Sequence, residues 1–295
     1  MKKSKIEASV VIPSYNHVRY VRTILNSLQT QKTSYGFEVI VVDSGTDDTE
    51  QVIKTDYPWV RLIKLKQRTH PGEARNVGVA AARSDVILFT DVDCRVSPEW
   101  IEFLLSKQTK EFRIVTGPVK NGTPYHVIGT ADYLLEFYDS LNAKDGVKCG
   151  PVGTVNVCYP RALLKKYGPL DGFVKGSDSR FSRKLLENGE KIFYHKAARV
   201  WHYNRTHLVK VFTNQYLLGL GAARTTKQYA TMGSLLIKHP VLILFMPFFR
   251  SLRIGWILLR KSPWDFLRFV VLYPLVFIGL CCHAAGFFKG ICNER

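Results

Sequence analysis

An α/β fold with a mostly parallel sheet is predicted by three apolar runs, each of strand length and each ending in polar or acidic residues. The runs are Ala8 to Ile12, Glu38 to Val42 and Val86 to Phe89. The clusters that follow them are Pro13-Ser14-Tyr15-Asn16, Asp43-Ser44-Gly45-Thr46-Asp47-Asp48 and Thr90-Asp91-Val92-Asp93. Helical spacing between the runs supplies the crossovers that parallel strands need.

Taken in order, the first strand is a buried type, unbroken by polar residues after Ser9 and stopped by Pro13. His17 to Gln31 follows, with Val18, Val21, Ile24, Leu25 and Leu28 at helical spacing. After the second strand, Asp47 and Asp48 precede Thr49-Glu50 and are expected to cap the next helix. Arg61 to Leu65 reads as a third strand, and Gly72 to Arg83 as a helix of small residues. Val86 to Phe89 then runs straight into Asp91-Val92-Asp93.

Strands alternating with helices place all three polar clusters at the carboxyl edge of one sheet, where open α/β folds bind ligands. Two carboxylates one residue apart repel each other unless a cation lies beside them. A hard divalent ion that also takes phosphate oxygens suits that position.

Four segments in this order resemble the successive motifs of the family 2 glycosyltransferases. They are Ser9-Val10-Val11-Ile12-Pro13-Ser14-Tyr15-Asn16, Val41-Val42-Asp43-Ser44-Gly45-Thr46-Asp47-Asp48-Thr49, Ala74-Arg75-Asn76-Val77-Gly78 and Phe89-Thr90-Asp91-Val92-Asp93. The resemblance covers about residues 8 to 205 and implies the GT-A fold, with transfer of a sugar from a nucleotide diphosphate, usually with inversion. Carried onto this chain, it implies a nucleotide site of Pro13, Tyr15, Asn16, Asp43, Arg75, Asn76 and Asp91. It implies Asp93 as the principal ligand of Mn²⁺ or Mg²⁺.

Gly150 to Val157 and Arg161 to Asp171 are similar to the family's acceptor-side segment, which leads to Gly176-Ser177-Asp178-Ser179-Arg180-Phe181. Where the family commonly carries several acids, only Asp178 stands here, flanked by Ser177 and Arg180. One carboxylate about 3 Å from the attacking hydroxyl is enough for a general base, so Asp178 is the expected catalytic residue. A helix is expected over Ser179 to Asn188, which leaves capping as the other reading of Asp178. Arg180 could instead meet an acidic or phosphorylated acceptor. Beyond the strand Lys191 to Tyr194, His202 occupies the place where family members complete the metal shell or touch the diphosphate.

The catalytic domain is therefore expected over 1–205, with a nucleotide-sugar half at about 8–117 and an acceptor half at about 118–205. Residues 206–295 form a tail of different composition. The chain carries 42 Lys and Arg against 24 Asp and Glu, a formal charge of +18, and residues 205–295 hold 12 of the former and 2 of the latter. A basic tail points to nucleic acid, anionic lipid or a phosphorylated substrate. The same tail is strongly apolar, which favours lipid over nucleic acid.

Phe269 to Phe288 is twenty residues without formal charge apart from His283, long enough to cross a bilayer core of about 30 Å. Leu235 to Leu259 is interrupted by Lys238, Arg250 and Arg253, and by Pro240 and Pro247. It reads as a second span or, fitting its arginines better, as an interfacial amphipathic helix. Arg250, Arg253, Arg260, Lys261 and Arg268 precede the last apolar segment, so the positive-inside rule places the catalytic domain in the cytoplasm. Glu7 and Pro13 break any apolar core after the basic start, so no signal peptide is expected. Six cysteines (94, 149, 158, 281, 282 and 292) without Cys-X-X-Cys spacing fit reduced thiols.

The expected activity is transfer from a nucleotide-diphosphate sugar, UDP-linked first among them, to a lipid-linked or glycan hydroxyl at the cytoplasmic membrane face, for cell-surface polysaccharide. Two other classes share part of this pattern. A sugar-phosphate nucleotidyltransferase would place a Gly-rich, basic loop after the first strand, where this chain has Pro-Ser-Tyr-Asn. A non-catalytic basic module that binds polyanions leaves Asp43, Asp91, Asp93 and Asp178 unexplained, because they repel such a partner.

Overall fold

The computed structural model describes residues 5–140, 144–173, 175–229 and 233–292. It opens with β1 (Ala8–Ser14), α1 (Val18–Gln29), β2 (Phe37–Asp43), α2 (Thr49–Asp56), β3 (Arg61–Lys64), α3 (Pro71–Ala81) and β4 (Val86–Thr90). Next come β5 (Cys94–Val96), α4 (Trp100–Ser106), β6 (Ile114–Thr116), β7 (Val119–Asn121), α5 (Val127–Glu136) and β8 (Gly146–Val147). Then follow β9 (Asn156–Pro160), α6 (Arg161–Tyr167), α7 (Ser177–Glu187), β10 (Ile192–Tyr194) and β11 (Val200–His202). The tail holds α8 (Leu208–Gln228), α9 (Ser234–Lys238), a 3₁₀ turn at Pro240–Phe245, α10 (Met246–Lys261), α11 (Pro263–Val271) and α12 (Tyr273–Cys292).

The chain divides into two compact units. The first comprises residues 1–120, 142–172 and 177–202, and the second residues 121–141, 173–176 and 203–295. The first unit is built on an eight-stranded sheet in the order β3-β2-β1-β4-β9-β6-β10-β8. β1 pairs in parallel with β2 and β4, β2 with β3, and β6 with β10. β9 is inserted antiparallel between β4 and β6.

The central strands read as continuous apolar runs because both of their faces are covered. Val10, Ile12, Val39, Val41 and Leu88 pack on one side with Val21, Ile24, Leu25 and Leu28 of α1. Val11, Ile40, Val42, Ile87 and Phe89 pack on the other with Ala74 of α3, Leu163 and Leu164 of α6 and Phe181 of α7. Alternate residues of one strand thus serve opposite cores, as a period of two requires. The small residues of α3 let it sit close: a Cβ on Gly78 would lie 2.3 Å from Val11 Cγ1.

Pro13 does not stop β1, which runs on to Ser14. The ladder to β4 ends at Val11, while the ladder to β2 continues to Ser14↔Asp43. At Pro13 the strand keeps one neighbour, and a missing N–H is tolerated there. β1, β2 and β4 therefore all end at one edge, as their order predicts.

In the second unit, α8 and α12 approach backbone to backbone. A Cβ on Gly219 would fall 2.1 Å from the His283 carbonyl oxygen, and one on Gly286 2.0 Å from that of Tyr216. α5 contributes Leu134 and Leu135, and α10 contributes Ile254 and Leu258, to the same core as Val276 and Leu280 of α12. Two segments, Pro240–Lys261 and Tyr273–Cys292, are long and apolar enough to cross a membrane by length and composition, and half of the second is buried within the protein. The expected continuous helix Phe269 to Phe288 is instead divided between α11 and α12 at Leu272. Pro274, lacking an N–H, fits the first turn of a new helix and not the middle of an old one. Phe245, Phe248, Phe249, Leu252, Trp256 and Leu259 lie exposed along the 3₁₀ turn and α10 at helical spacing.

The close contact of α3 with β1 gives a test. Gly78→Val is expected to cost about 1–3 kcal/mol through overpacking. Thermal unfolding of the variant would then start several degrees below that of the parent protein.

Candidate active site

The end of β1 and the end of β2 are tied together by Asn16. Its backbone is left-handed, with φ of 56°, which asparagine tolerates better than most residues. Its Oδ1 accepts from the amides of Thr46 at 2.7 Å and Asp47 at 3.3 Å. Gly45 permits this approach, since a Cβ there would lie 2.5 Å from Asn16 N. Asp47 in turn accepts from the amides of Val18 at 2.9 Å and Thr49 at 3.2 Å, fixing the starts of α1 and α2. The Asp48 side chain makes no capping bond, so of the two expected caps only Asp47 acts as one.

Asp43 closes β2 and is fully buried. Its Oδ2 accepts from Lys64 Nζ at 2.7 Å, and its Oδ1 has no hydrogen-bond partner. Burial works against the Lys64 ammonium, but the bond to Asp43 and the nearby Glu50 hold its pKa above the ordinary lysine value. The Ser14 and Ser44 hydroxyls beside it are also buried without partners. Buried polar atoms normally find partners, so this cluster at two adjoining strand ends marks a place where a ligand's donors would be rewarded. Pro13 and Tyr15 are half-buried at the same edge, and the Arg68 guanidinium lies 4.7 Å from the Tyr15 ring centroid.

At the end of β4, Asp91 is paired with Arg75 of α3, whose side chain is buried. Asp93 has an imidazole on either side. His202 Nε2 lies 3.5 Å from Oδ1 and His17 Nε2 lies 3.9 Å from Oδ2. The β5–β11 ladder explains the first: it sets His202 opposite Cys94, one residue beyond Asp93. His17 precedes α1, three residues past the end of β1. Among the described residues, no three His, Cys, Asp or Glu side chains gather into a metal cage of their own. A carboxylate and an imidazole nevertheless form a fitting donor pair for an ion that fills the rest of its shell with substrate phosphate and water.

Asp178 arrives from the later part of the first unit, on α7. α7 begins at Ser177, two residues before the expected start, so Asp178 sits inside its first turn. Its Oδ1 accepts from the Ser179 amide at 2.8 Å and its Oδ2 from the Thr154 amide at 3.2 Å. Thr154 precedes β9, and Asn156 of β9 pairs with Thr90 of β4. The segment holding Asp178 therefore leaves the sheet at the edge where Asp91 and Asp93 begin. A Cβ on Gly153 would lie 3.2 Å from Asp178 Oδ2, so the glycine lets this backbone come close.

Arg180 is committed elsewhere. Its Nε and one terminal nitrogen each donate to Asp171 at 2.7 Å, and its side chain is buried. It is a bidentate clamp within the fold and does not present itself to an acidic acceptor. Asn76 also serves as a clamp. Its amide donates to the Leu170 carbonyl at 2.7 Å and accepts from the Leu170 N–H at 3.0 Å. Through Asn76 and the close approach of Gly72 to the Asp171 carbonyl, α3 is fastened to residues 170–171 while Arg75 reaches Asp91. His195 pairs with Asp145 at 3.0 Å, away from these groups in its bonding.

The model of glycosyl transferase family 2 matches residues 9–167. The chain belongs to that family. The Haloferax volcanii glycosyltransferase AglE is 25% identical over 196 residues, 63% of each chain. The TarS poly(ribitol-phosphate) β-N-acetylglucosaminyltransferase of Staphylococcus aureus is 36% identical over 101 residues, 32% of this chain and 17% of its own. The matched region thus spans less than two thirds of these curated relatives. Among solved structures, the mannosyltransferase PcManGT of Pyrobaculum calidifontis, in complex with GDP-Man and Mn²⁺, superposes with a TM-score of 0.65 at 15% identity, covering 99% of this chain and 89% of that one. S. aureus TarS 1–349 gives 0.57 at 17% identity, with 98% and 91% covered. The fold is that of these glycosyltransferases.

The Asp43–Lys64 pair can be tested directly. Lys64→Met is expected to destabilise the protein by about 3 kcal/mol in chemical denaturation, because it strands a buried carboxylate. Adding Asp43→Asn should recover much of the loss.

Proposed function

We propose that this glycosyltransferase is metal-dependent and inverting. In this reading it moves a sugar from a nucleotide diphosphate, UDP first among them, to a hydroxyl of a lipid-linked or glycan acceptor. The observation that carries the reading is the position of Asp93 beside His202, at the sheet edge that also holds the unpartnered Oδ1 of Asp43 and the segment bearing Asp178.

Asp43 Oδ1 accepts a ring N–H of the base, while Pro13 and Tyr15 line the base and Asn16 holds both loops in register. PcManGT is described with GDP-Man and TarS with UDP-GlcNAc, and guanine and uracil each offer such an N–H. Because Asp43 is enclosed, the base reaches it only after the side chains around it shift. Arg75 fixes Asp91 toward the ribose. Asn76 keeps the acceptor-side segment against α3.

A divalent cation held by Asp93 and His202 would supply positive charge to the departing diphosphate. The acceptor oxygen attacks the anomeric carbon from the face opposite the diphosphate. Asp178 takes the hydroxyl proton as that C–O bond forms, and the bond from the anomeric carbon to the phosphate oxygen breaks. The Thr154 and Ser179 amides aim the carboxylate for this step, which is the geometric requirement of a general base.

The tail supports a membrane setting. The exposed apolar stripe from Phe245 to Leu259 carries Arg253 and Arg260 beside it, and Arg260 stacks 4.0 Å from the Trp256 ring centroid. Aromatic rings interleaved with arginines suit a headgroup boundary with anionic lipid. With the catalytic unit on the cytoplasmic side, acceptors for cell-surface polysaccharide would be met there.

With a panel of nucleotide sugars and Mn²⁺, Asp93→Ala and Asp178→Asn are each expected to lower turnover at least about a hundredfold, the scale of lost acid–base or electrostatic catalysis. Full metal-dependent turnover in both variants would end this assignment. In membrane preparations the chain should stay with the pellet through a salt wash of roughly 1 M, the level that screens surface charge, and leave it in detergent.

A further inference from the structure

We propose that His17 is a donor-binding residue whose Nε2–H hydrogen-bonds the diphosphate of the nucleotide sugar, a role that rests on the function proposed above. His17 lies outside the four sequence motifs and faces Oδ2 of Asp93, while His202 faces Oδ1. Its two ring nitrogens stand in different surroundings. Nδ1 is enclosed and has no hydrogen-bond partner. Nε2 is turned to Asp93 Oδ2 across 3.9 Å, on a side chain that keeps 36% of its surface exposed.

That asymmetry selects a tautomer. An enclosed N–H without an acceptor is the rarer and costlier orphan, and a bare lone pair is the milder one. The proton therefore belongs on Nε2, the nitrogen that faces the site. An imidazole in that form offers no lone pair to an ion, so His17 serves as a donor to an anion. At 3.9 Å the Nε2–H is not spent on the Asp93 carboxylate, since an N–H···O bond closes at about 2.7–3.2 Å. The ligand that meets Asp93 is a diphosphate, and its oxygens are the acceptors within reach. His17 is well placed to hold still for this: the Val18 amide that follows it is bonded to Asp47, and Asn16 before it is fixed to Thr46 and Asp47. As the anomeric carbon leaves its phosphate oxygen, the charge that develops on the diphosphate strengthens this bond.

The test uses the full chain in detergent and calorimetric binding of UDP and GDP, following whichever the parent protein binds more tightly, with the matching nucleoside as control. His17→Phe removes the donor and keeps a ring; His17→Ala replaces it should the first variant fail to fold, and His17→Gln restores an N–H. The diphosphate Kd is expected to rise roughly tenfold to a hundredfold in His17→Phe, the scale of a hydrogen bond to a charged group. The ratio should be the same with Mn²⁺ and in EDTA, nucleoside binding should not change, and His17→Gln should recover part of the loss. An unchanged diphosphate Kd overturns the proposal. So does a loss that vanishes in EDTA, which would make His17 an ion ligand, or an equal loss with the nucleoside. A parent protein that binds no nucleoside diphosphate at all would instead overturn the function on which the proposal rests.

Discussion

Everything at the candidate site depends on β1, β2 and β4 running parallel and ending together. A parallel arrangement with both faces covered lets strands be apolar throughout, so polar residues can appear only where the strands stop. Ser14↔Asp43 is the last pair of the β1–β2 ladder, and Asp91 follows the last residue of β4. The same constraint that builds the core thus sorts the chemistry to one edge. β9 adds to it by running the other way: its amino end lies beside the carboxyl end of β4, which brings the backbone that holds Asp178 to that edge as well.

Gathering carboxylates at one edge costs free energy unless each has a partner, and the fold provides these in different ways. Asp43 is met by Lys64, Asp91 by Arg75 and Asp171 by Arg180. These three pairs hold strand ends and helix starts in place, and each has one buried partner, so breaking it would leave a buried charge uncompensated. Asp93 and Asp178 are treated differently. Asp93 faces two imidazoles, and Asp178 faces backbone amides. Asp178, held by backbone amides, can take up a proton during a reaction more readily than a carboxylate clamped by arginine.

Much of this was legible in the chain because it depends on local pattern. The three apolar runs, the spacing of Val21, Ile24, Leu25 and Leu28, and the order of elements to Asp93 all follow from short-range periodicity. His202 was singled out by the family resemblance alone, and the structure sets it 3.5 Å from Asp93. Contacts between residues far apart in sequence were not legible. Nothing local in Arg180 reveals that Asp171 occupies it, and nothing local in Asn76 reveals both backbone groups of Leu170. The approach of His17 to Asp93 is equally non-local. Read along the chain, this histidine starts an amphipathic helix; only the pairing of β4 with β1 and the packing of β5 on α1 turn it toward Asp93.

The tail shows how one composition can serve two purposes within a helix. α12 is apolar on every side, which by itself says only that water is excluded. The glycines divide its surface: Gly279, Gly286 and Gly290 let Leu135, the Tyr216 carbonyl and Ala223 come close. A helix that meets α8 through glycines gains close packing, a contact that also works in lipid, where burial of apolar surface no longer drives association. α10 is divided differently, with Ile254, Gly255 and Leu258 turned inward and Phe249, Leu252, Trp256 and Leu259 outward. Water alone would penalise that outward face along the length of the helix. Its arginines would be penalised at the centre of a bilayer, by roughly 2.5–3.5 kcal/mol each. In the membrane setting proposed above, the boundary between the two media would satisfy both requirements and would account for the basic excess of residues 205–295 occurring with their apolar surface.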